Sequence, residues 1–339
     1  PFAGVPRGEQ PANVLAVSSW SECGYNTGDG WQRRGIGSDA QPGTTEQLVN
    51  RAAVNITEPR TLVASDLDGT LLRSDGALGP RTAESINQFI ARGGRFTYAT
   101  ARSFTSASRV TRGLDLALPV VTYGGAVIVD PRSGQARPAT MLPQAAVAGL
   151  LAATEHDAQL EPVLFAMHAG RDRLCWRPDH LTPGIGRFLS RRRGDPRLLP
   201  LRDWSAIDAS EVFCVAVIGE RNALAGLQQA VPRSGVHMTL SLDVYPPGEW
   251  WLELSSASAT KAAALTGLRR ELGAGRLICF GDNQNDLPMF AIADWSLAVA
   301  NAAPGIRGAA DEVVGTNDSD GVARWIAAHA GLAGPAAPP

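Results

Sequence analysis

The sequence predicts an α/β protein: a doubly wound, Rossmann-like parallel-sheet domain interrupted by an inserted α/β domain. Three observations predict it. From Arg60, short apolar stretches alternate with amphipathic ones, "TLVASD", "GPRTAESINQFIARGG", "RFTYAT", "SFTSASRVTRGL" and "LPVVTYGG", the rhythm that builds parallel sheets. Residues 140–248 carry their own run of helices and strands, long enough for a separate core. After them the first rhythm returns, from "KAAALTGLRREL" to "GVARWIAAHAGL".

Each element has a local reason. "TLVASD" is a continuous apolar run of strand length that stops at an acid. In the following helix Pro80 stands near the start, Ile86, Phe89 and Ile90 share one face, and Gly93-Gly94 ends it. "AVIVD" reads as the hairpin partner of "LPVVTYGG". In the insert, "QAAVAGLLAATEHD", "GIGRFLSRRR" and "RNALAGLQQAV" read as helices. "EPVLFAMHA", "RLCWRP", "SEVFCVAVIGE" and "VHMTLSLDVY" read as strands. Beyond it "RLICFGD" and "WSLAVA" are buried strands, and "DLPMFAIA" is a helix. The expected division is a core domain from 59–139 and 249–332, an insert over 140–248, a partly disordered extension over 1–58, and a disordered tail over 333–339.

Composition narrows the function. Of 339 residues, 44% are apolar and 19% charged, as in ordinary globular proteins. A net charge of −2 offers no field for a nucleic-acid polymer or an anionic membrane. The run Arg191–Arg193 reads as a solvated helix end. No apolar run is long enough to span a bilayer, and a signal-peptide pattern is not evident. Cys23, Cys175, Cys214 and Cys279 are far apart, and Cys214 and Cys279 lie in apolar runs. That spacing suggests neither a zinc site nor a disulfide framework and fits a reduced cytoplasm. The five histidines show no ligand spacing.

Three polar clusters fall at predicted strand ends, where open α/β sheets bind ligands. Asp66 and Asp68 follow "LVAS", Thr100 and Arg102 follow "RFTYA", and Asp282, Asn283, Asn285 and Asp286 follow "LICFG". Lys261 begins the helix after the insert. Brought together, Asp66, Asp68, Asp282 and Asp286 need a counter-charge. An all-oxygen set suits Mg²⁺ with room for a phosphate. Lys261 and Thr100 offer a charge and a donor to phosphoryl oxygens. A carboxylate nucleophile with a second acid two residues on can split phosphate-ester hydrolysis into two steps.

"DLDGT" at Asp66–Thr70, "TAR" at Thr100–Arg102, Lys261 in "SSASATKAAAL", and "GDNQND" at Gly281–Asp286 resemble, in order, the four motifs of the haloacid dehalogenase superfamily. The insert resembles the cap of its Cof-type sugar-phosphatase branch, as do the downstream "SLAVANA" and "DSDGVARWI"; the resemblance covers about residues 60–330. It implies an Mg²⁺-dependent phosphatase acting through an aspartyl-phosphate on a small phosphorylated metabolite. A sugar phosphate is favoured over a nucleotide or cofactor phosphate. It implies Asp66 as nucleophile and metal ligand, and Asp68 as general acid/base with its backbone carbonyl on the metal. Thr100, Lys261 and Asn285 would hold phosphate, with Arg102 reaching it too. Asp282 would hold the metal, and Asp286 would orient Lys261 or a metal-bound water. Two positions depart from the pattern. Ala101 replaces a glycine, and Gly124 in "TYGGA" replaces an asparagine, removing a side chain near the site and bearing on substrate choice. A phosphosugar mutase, or a non-catalytic binding protein on this fold, are the alternatives. Trp250 and Trp251 alternate across a strand, so one faces a core and the other can face the cleft. Asp243 and Tyr245 are candidates at the insert's edge. Neither the exact substrate nor the oligomeric state is legible.

Overall fold

The computed structural model describes residues 56–242 and 248–332. The expected extension up to residue 55, the tail 333–339, and Asp243 and Tyr245 lie outside the described residues. Ile56, expected to belong to the extension, is fully buried in the main core cluster.

Among the described residues the core sheet has five strands, all parallel: β1 (Thr61–Ser65), β2 (Arg95–Tyr98), β11 (Arg276–Gly281), β12 (Trp295–Val299) and β13 (Glu312–Val314). Their order is β13-β12-β11-β1-β2. The chain therefore winds one way from β1 to β2 and the other way from β11 to β13. The reversal lies between β1 and β11, the switch point beyond whose carboxyl ends open α/β sheets bind ligands. Every residue of β1 is buried, as a continuous apolar run covered on both faces requires. Helix α1 (Pro80–Ala91) starts on its proline and buries Ile86 and Phe89. It closes with Gly94 N–H donating to Phe89 O at 2.9 Å and Gly93 at φ +88, the left-handed stop glycine permits. Helix α2 (Phe104–Val110) is capped by Ser103, which accepts from Ser106 N–H. Strands β3 (Val120–Thr122) and β4 (Val127–Val129) form the expected hairpin, and Ala99 bridges Val121 to join it to the end of β2.

The insert is a six-stranded sheet of β5 (Pro162–His168), β6 (Arg171–Trp176), β7 (Leu198–Pro200), β8 (Val212–Gly219), β9 (Val236–Leu242) and β10 (Trp250–Ser256), ordered β7-β6-β5-β8-β10-β9. One face, with Leu164, Val215, Val217, Leu252 and Leu254, packs with residues of α3 (Gln144–Thr154) and α5 (Arg221–Ala230). The alternate residues Val163, Phe165, Ala216, Ile218 and Trp251 join the cluster that is continuous with the core domain. α4 (Pro183–Ser190) lies on this second face, with Phe188 5.8 Å from Trp251 between ring centres. The two tryptophans split as the alternation predicts: Trp251 joins that cluster, and Trp250 on the other face sits under the Arg221 guanidinium.

The boundary expected at residue 248 falls inside the second sheet. β10 pairs with β8 and β9 through Ser255 and Ser256, so the insert runs to Ser256. Arg192, expected to be solvated, folds back over Phe188, its guanidinium carbon 3.7 Å from the ring centre. The closing elements are α6 (Lys261–Glu271), α7 (Leu287–Ile292), α8 (Pro304–Ala309) and α9 (Gly321–His329). No helix among the described residues is long and apolar enough to cross a membrane.

Candidate active site

Asp66 stands one residue beyond β1, at the switch point. Its N–H still donates to Phe280 O of β11 at 2.9 Å, so the strand ladder fixes its backbone. The chain then turns through Leu67–Leu71, closed by Leu72 N–H to Leu67 O at 2.8 Å. Gly69 makes this turn possible on two counts: its φ is +74, and a Cβ there would lie 2.5 Å from Asp282 Oδ2. Thr70 Oγ1 donates to Asp282 Oδ1 at 2.7 Å, and Asn301 Nδ2 donates to Gly69 O at 2.7 Å. The "DLDGT" turn is thereby bolted to the ends of β11 and β12.

Lys261 is the first residue of α6, whose start is capped by Thr260 accepting from Ala263 N–H at 3.0 Å. An ammonium at a helix N-terminus opposes the helix dipole, and this one is only 3% exposed. Two carboxylates offset that cost: Lys261 Nζ lies 2.8 Å from Asp66 Oδ1 and 2.7 Å from Asp286 Oδ1. Burial alone would lower its pKa, but Asp286 and Asp66 outweigh it and raise it. Lys261 stays charged.

Asp286 is completely buried. Its second oxygen accepts from Asp282 N–H at 2.9 Å and Asn283 N–H at 3.1 Å. This carboxylate turns back toward Lys261 instead of capping α7. Gly281 admits it, since a Cβ there would lie 2.6 Å from Asp286 Cβ. Ligand oxygens of Asp66, Asp282 and Asp286 all lie within 4.8 Å of one another. Burial first, then Asp286 among its neighbours, pushes Asp282 up to about 7. Burial also raises Asp66 well above the carboxylate range, against the pull of Lys261. One ammonium is too little positive charge for three acids, two of them buried and one half-buried. An all-oxygen, charge-starved cluster of this kind fits a hard divalent cation.

Asp68 has a different partner. Arg102 grips it bidentately, Nε to Oδ2 at 2.7 Å and Nη2 to Oδ1 at 2.5 Å. The Arg102 side chain is 2% exposed and that of Asp68 33%. Arg102, expected at the substrate phosphate, pairs here with Asp68, and its Nη1 donates to Ser106 Oγ. Thr100 is buried at the end of β2, its Oγ1 accepting from Arg102 N–H at 3.1 Å. Asn285 lies in the turn Gln284–Asp286, between the two acids of its motif.

Residues 63–326 match the model for haloacid dehalogenase-like hydrolases. The chain belongs to that family. The HMP-PP phosphatase of Serratia proteamaculans is 30% identical over 271 residues, 78% of this chain and 93% of that protein. The 5-amino-6-(5-phospho-D-ribitylamino)uracil phosphatase YitU of Bacillus subtilis is 25% identical, covering 78% and 96%. A haloacid dehalogenase-like hydrolase from Bacteroides thetaiotaomicron shares the fold at a TM-score of 0.62 and 23% identity, over 78% of this chain and 98% of that one. The chain is thus an enzyme of the haloacid dehalogenase type, related to the Cof-type phosphatases, with a Rossmann-like core and a cap. Thr70 and Asn301, which brace the site, lie within the stretches "DLDGT" and "SLAVANA" but carried no assigned role in the sequence; their pairing appears only across the fold.

Proposed function

We propose that this protein is an Mg²⁺-dependent phosphatase hydrolysing a phosphomonoester of a small metabolite, a sugar phosphate in the first instance, in the cytoplasm. The observation that carries the reading is the separation of two acids two residues apart. Asp66 faces Lys261 and the acid cluster, while Asp68 is paired with Arg102.

Asp66 is the nucleophile. Its carboxylate oxygen attacks phosphorus, the bond to the leaving oxygen breaks, and the Asp68 carboxyl protonates that oxygen. Asp68, then a carboxylate, takes a proton from a water that attacks the aspartyl-phosphate, releasing inorganic phosphate and restoring Asp66. The one-third exposure of Asp68 lets it exchange that proton with solvent. Lys261 and Thr100 hold phosphoryl oxygens, with Asn285 beside them. Asp66 and Asp282 would hold the metal, with the backbone carbonyl of Asp68; Asp286 orients Lys261 and would add charge to the metal site. Bound there, Mg²⁺ neutralises the acids and the charge on the transferring phosphoryl group. Arg102 aims Asp68, and its bidentate pair with that carboxylate supports this role.

Phosphate release should be measured over a panel of sugar phosphates, nucleotides and a phosphoribitylaminouracil such as the YitU relative's name specifies, with Mg²⁺ and with chelator. Release is expected with Mg²⁺ and lost with chelator. Sugar interconversion without phosphate release would make the protein a mutase instead.

Metal affinity should depend on pH. In the metal-free fold Asp282 titrates near 7 instead of near its ordinary value, 3.8. A raised acid pKa gives stability that is fully present below the unfolded value and is lost as pH rises through the folded one. Cation binding needs the ionised carboxylate. The rise in melting temperature on adding Mg²⁺ is therefore expected to be larger at pH 8 than at pH 6. An equal rise at both would show that Asp282 is not a ligand.

A further inference from the structure

We propose that Tyr123 is a positioning residue that fixes the cap's seat over the crevice and transmits that seat to Thr100, Arg102 and Lys261. The proposal rests on the phosphatase reading for its kinetic consequence. Tyr123 belongs to the core hairpin, yet its side chain lies in the cap. Its ring meets Phe213 and Phe165 edge-on, at 4.9 and 6.1 Å between centres. Its hydroxyl donates to Asp172 Oδ2 at 2.7 Å and accepts from Arg197 Nη1 at 2.6 Å. Arg197 is fixed in turn by Asp195, Nη2 to Oδ2 at 2.6 Å.

The backbone of the same residue is pinned to the site. Tyr123 N–H donates to Arg102 O at 2.9 Å, and Gly124 N–H to Thr100 O at 3.0 Å. Gly125 lies against the start of α6: a Cβ there would stand 2.2 Å from Thr260 O and 2.9 Å from Lys261 N. One turn thus touches the backbones that carry the phosphate-holding threonine, the arginine that aims Asp68, and the buried lysine. Tyr123 holds φ +51, a left-handed conformation uncommon outside glycine. Such a conformation persists where the surroundings over-determine it. Here its two ends are held by different domains. A cavity of about 300 Å³ lined in part by Tyr123, Asp172 and Arg197 borders the contact, so the seat lies beside open space instead of deep in one core.

Tyr123→Phe keeps the ring and removes only the tie to Asp172 and Arg197. Asp172→Asn weakens the same tie from the cap side and serves if the first variant folds poorly. Two probes separate the effects: p-nitrophenyl phosphate, whose leaving group departs without a proton, and ribose 5-phosphate, whose alkoxide needs the proton from Asp68. A slight misplacement of Asp68 and the phosphate holders should lower kcat/KM on ribose 5-phosphate about tenfold or more. The loss on p-nitrophenyl phosphate should be smaller. Amide hydrogen exchange should quicken at residues 100–102 as well as in the hairpin. The double variant should be no worse than the more affected single one. An equal fall on both probes with unchanged exchange at 100–102, or no change on either, would overturn the proposal. If the native protein hydrolyses neither probe, the wider panel decides the phosphatase reading, and exchange decides the coupling. Quickening at 100–102 in both variants supports it, and unchanged exchange there refutes it.

Discussion

Asp66→Asn is expected to reduce Mg²⁺-dependent phosphate release by at least about 10³-fold while leaving the metal-free protein as stable as before, or more so. An amide has the carboxylate's shape but lacks its nucleophilicity and its charge on the cation. The fold should not suffer, for an electrostatic reason. Asp66 is buried beside Asp282 and Asp286, and burial raises its pKa well above the usual range. Its ionised form is therefore a cost to the metal-free fold near neutrality, only partly offset by Lys261. The substitution removes that cost and leaves Lys261 paired with Asp286 at 2.7 Å. The check is paired: initial rates with Mg²⁺, and urea unfolding in chelator at pH 8. A residual rate within tenfold of the parent would mean that another group attacks phosphorus. A large loss of stability would mean that Lys261 depends on Asp66 more than on Asp286.

Much of this site could be read from local sequence because its parts end strands and begin helices. Asp66 follows an unbroken buried strand, Asp282 follows another, and Lys261 opens a helix. Where such ends converge is set by sheet order, and alternating strands and helices imply that order. What could not be read depends on pairings between distant side chains. The Arg102–Asp68 grip spans 34 positions, and a guanidinium near a site suits a phosphate as well as a carboxylate. The last strand of the insert shows the same limit. "WWLELSS" reads as a strand in either domain, and only its register against β8 and β9 assigns it to the cap. The three-residue strands β7 and β13 carry too little periodicity to stand out. Gly124 was visible as a departure. That the tyrosine before it reaches into the other domain was not, because the partners Asp172 and Arg197 lie on segments with no shared pattern.

Lys261→Met should show the largest effect on stability. Removing one partner of a buried ion pair costs roughly 3–5 kcal/mol, since the remaining charge is left without compensation. Here three acids would be left. Lys261 is the cation within ion-pair distance of both Asp66 and Asp286. Its own raised pKa gives a stabilisation that is fully present below its unfolded value, 10.5, and so is constant from pH 5 to 9. The pH dependence of the variant comes from the acids. Without the ammonium the Asp66 and Asp282 pKa values, already raised, rise further. The variant is then expected to lose stability steadily as pH rises from about 4 to 8, and the gap to the parent should be narrow in acid and wide at pH 8. Mg²⁺ at pH 8 should restore part of the loss, because a divalent cation supplies the missing charge to the same carboxylates. Phosphate release should stay at least about 10²-fold below the parent even with Mg²⁺, since the metal replaces the charge but not the donor to the phosphoryl oxygens. Urea midpoints at pH 5 and pH 8, with chelator and with Mg²⁺, test each step. A gap independent of pH and metal would mean that the methionine fails by packing, and that the acids are not what Lys261 holds in check.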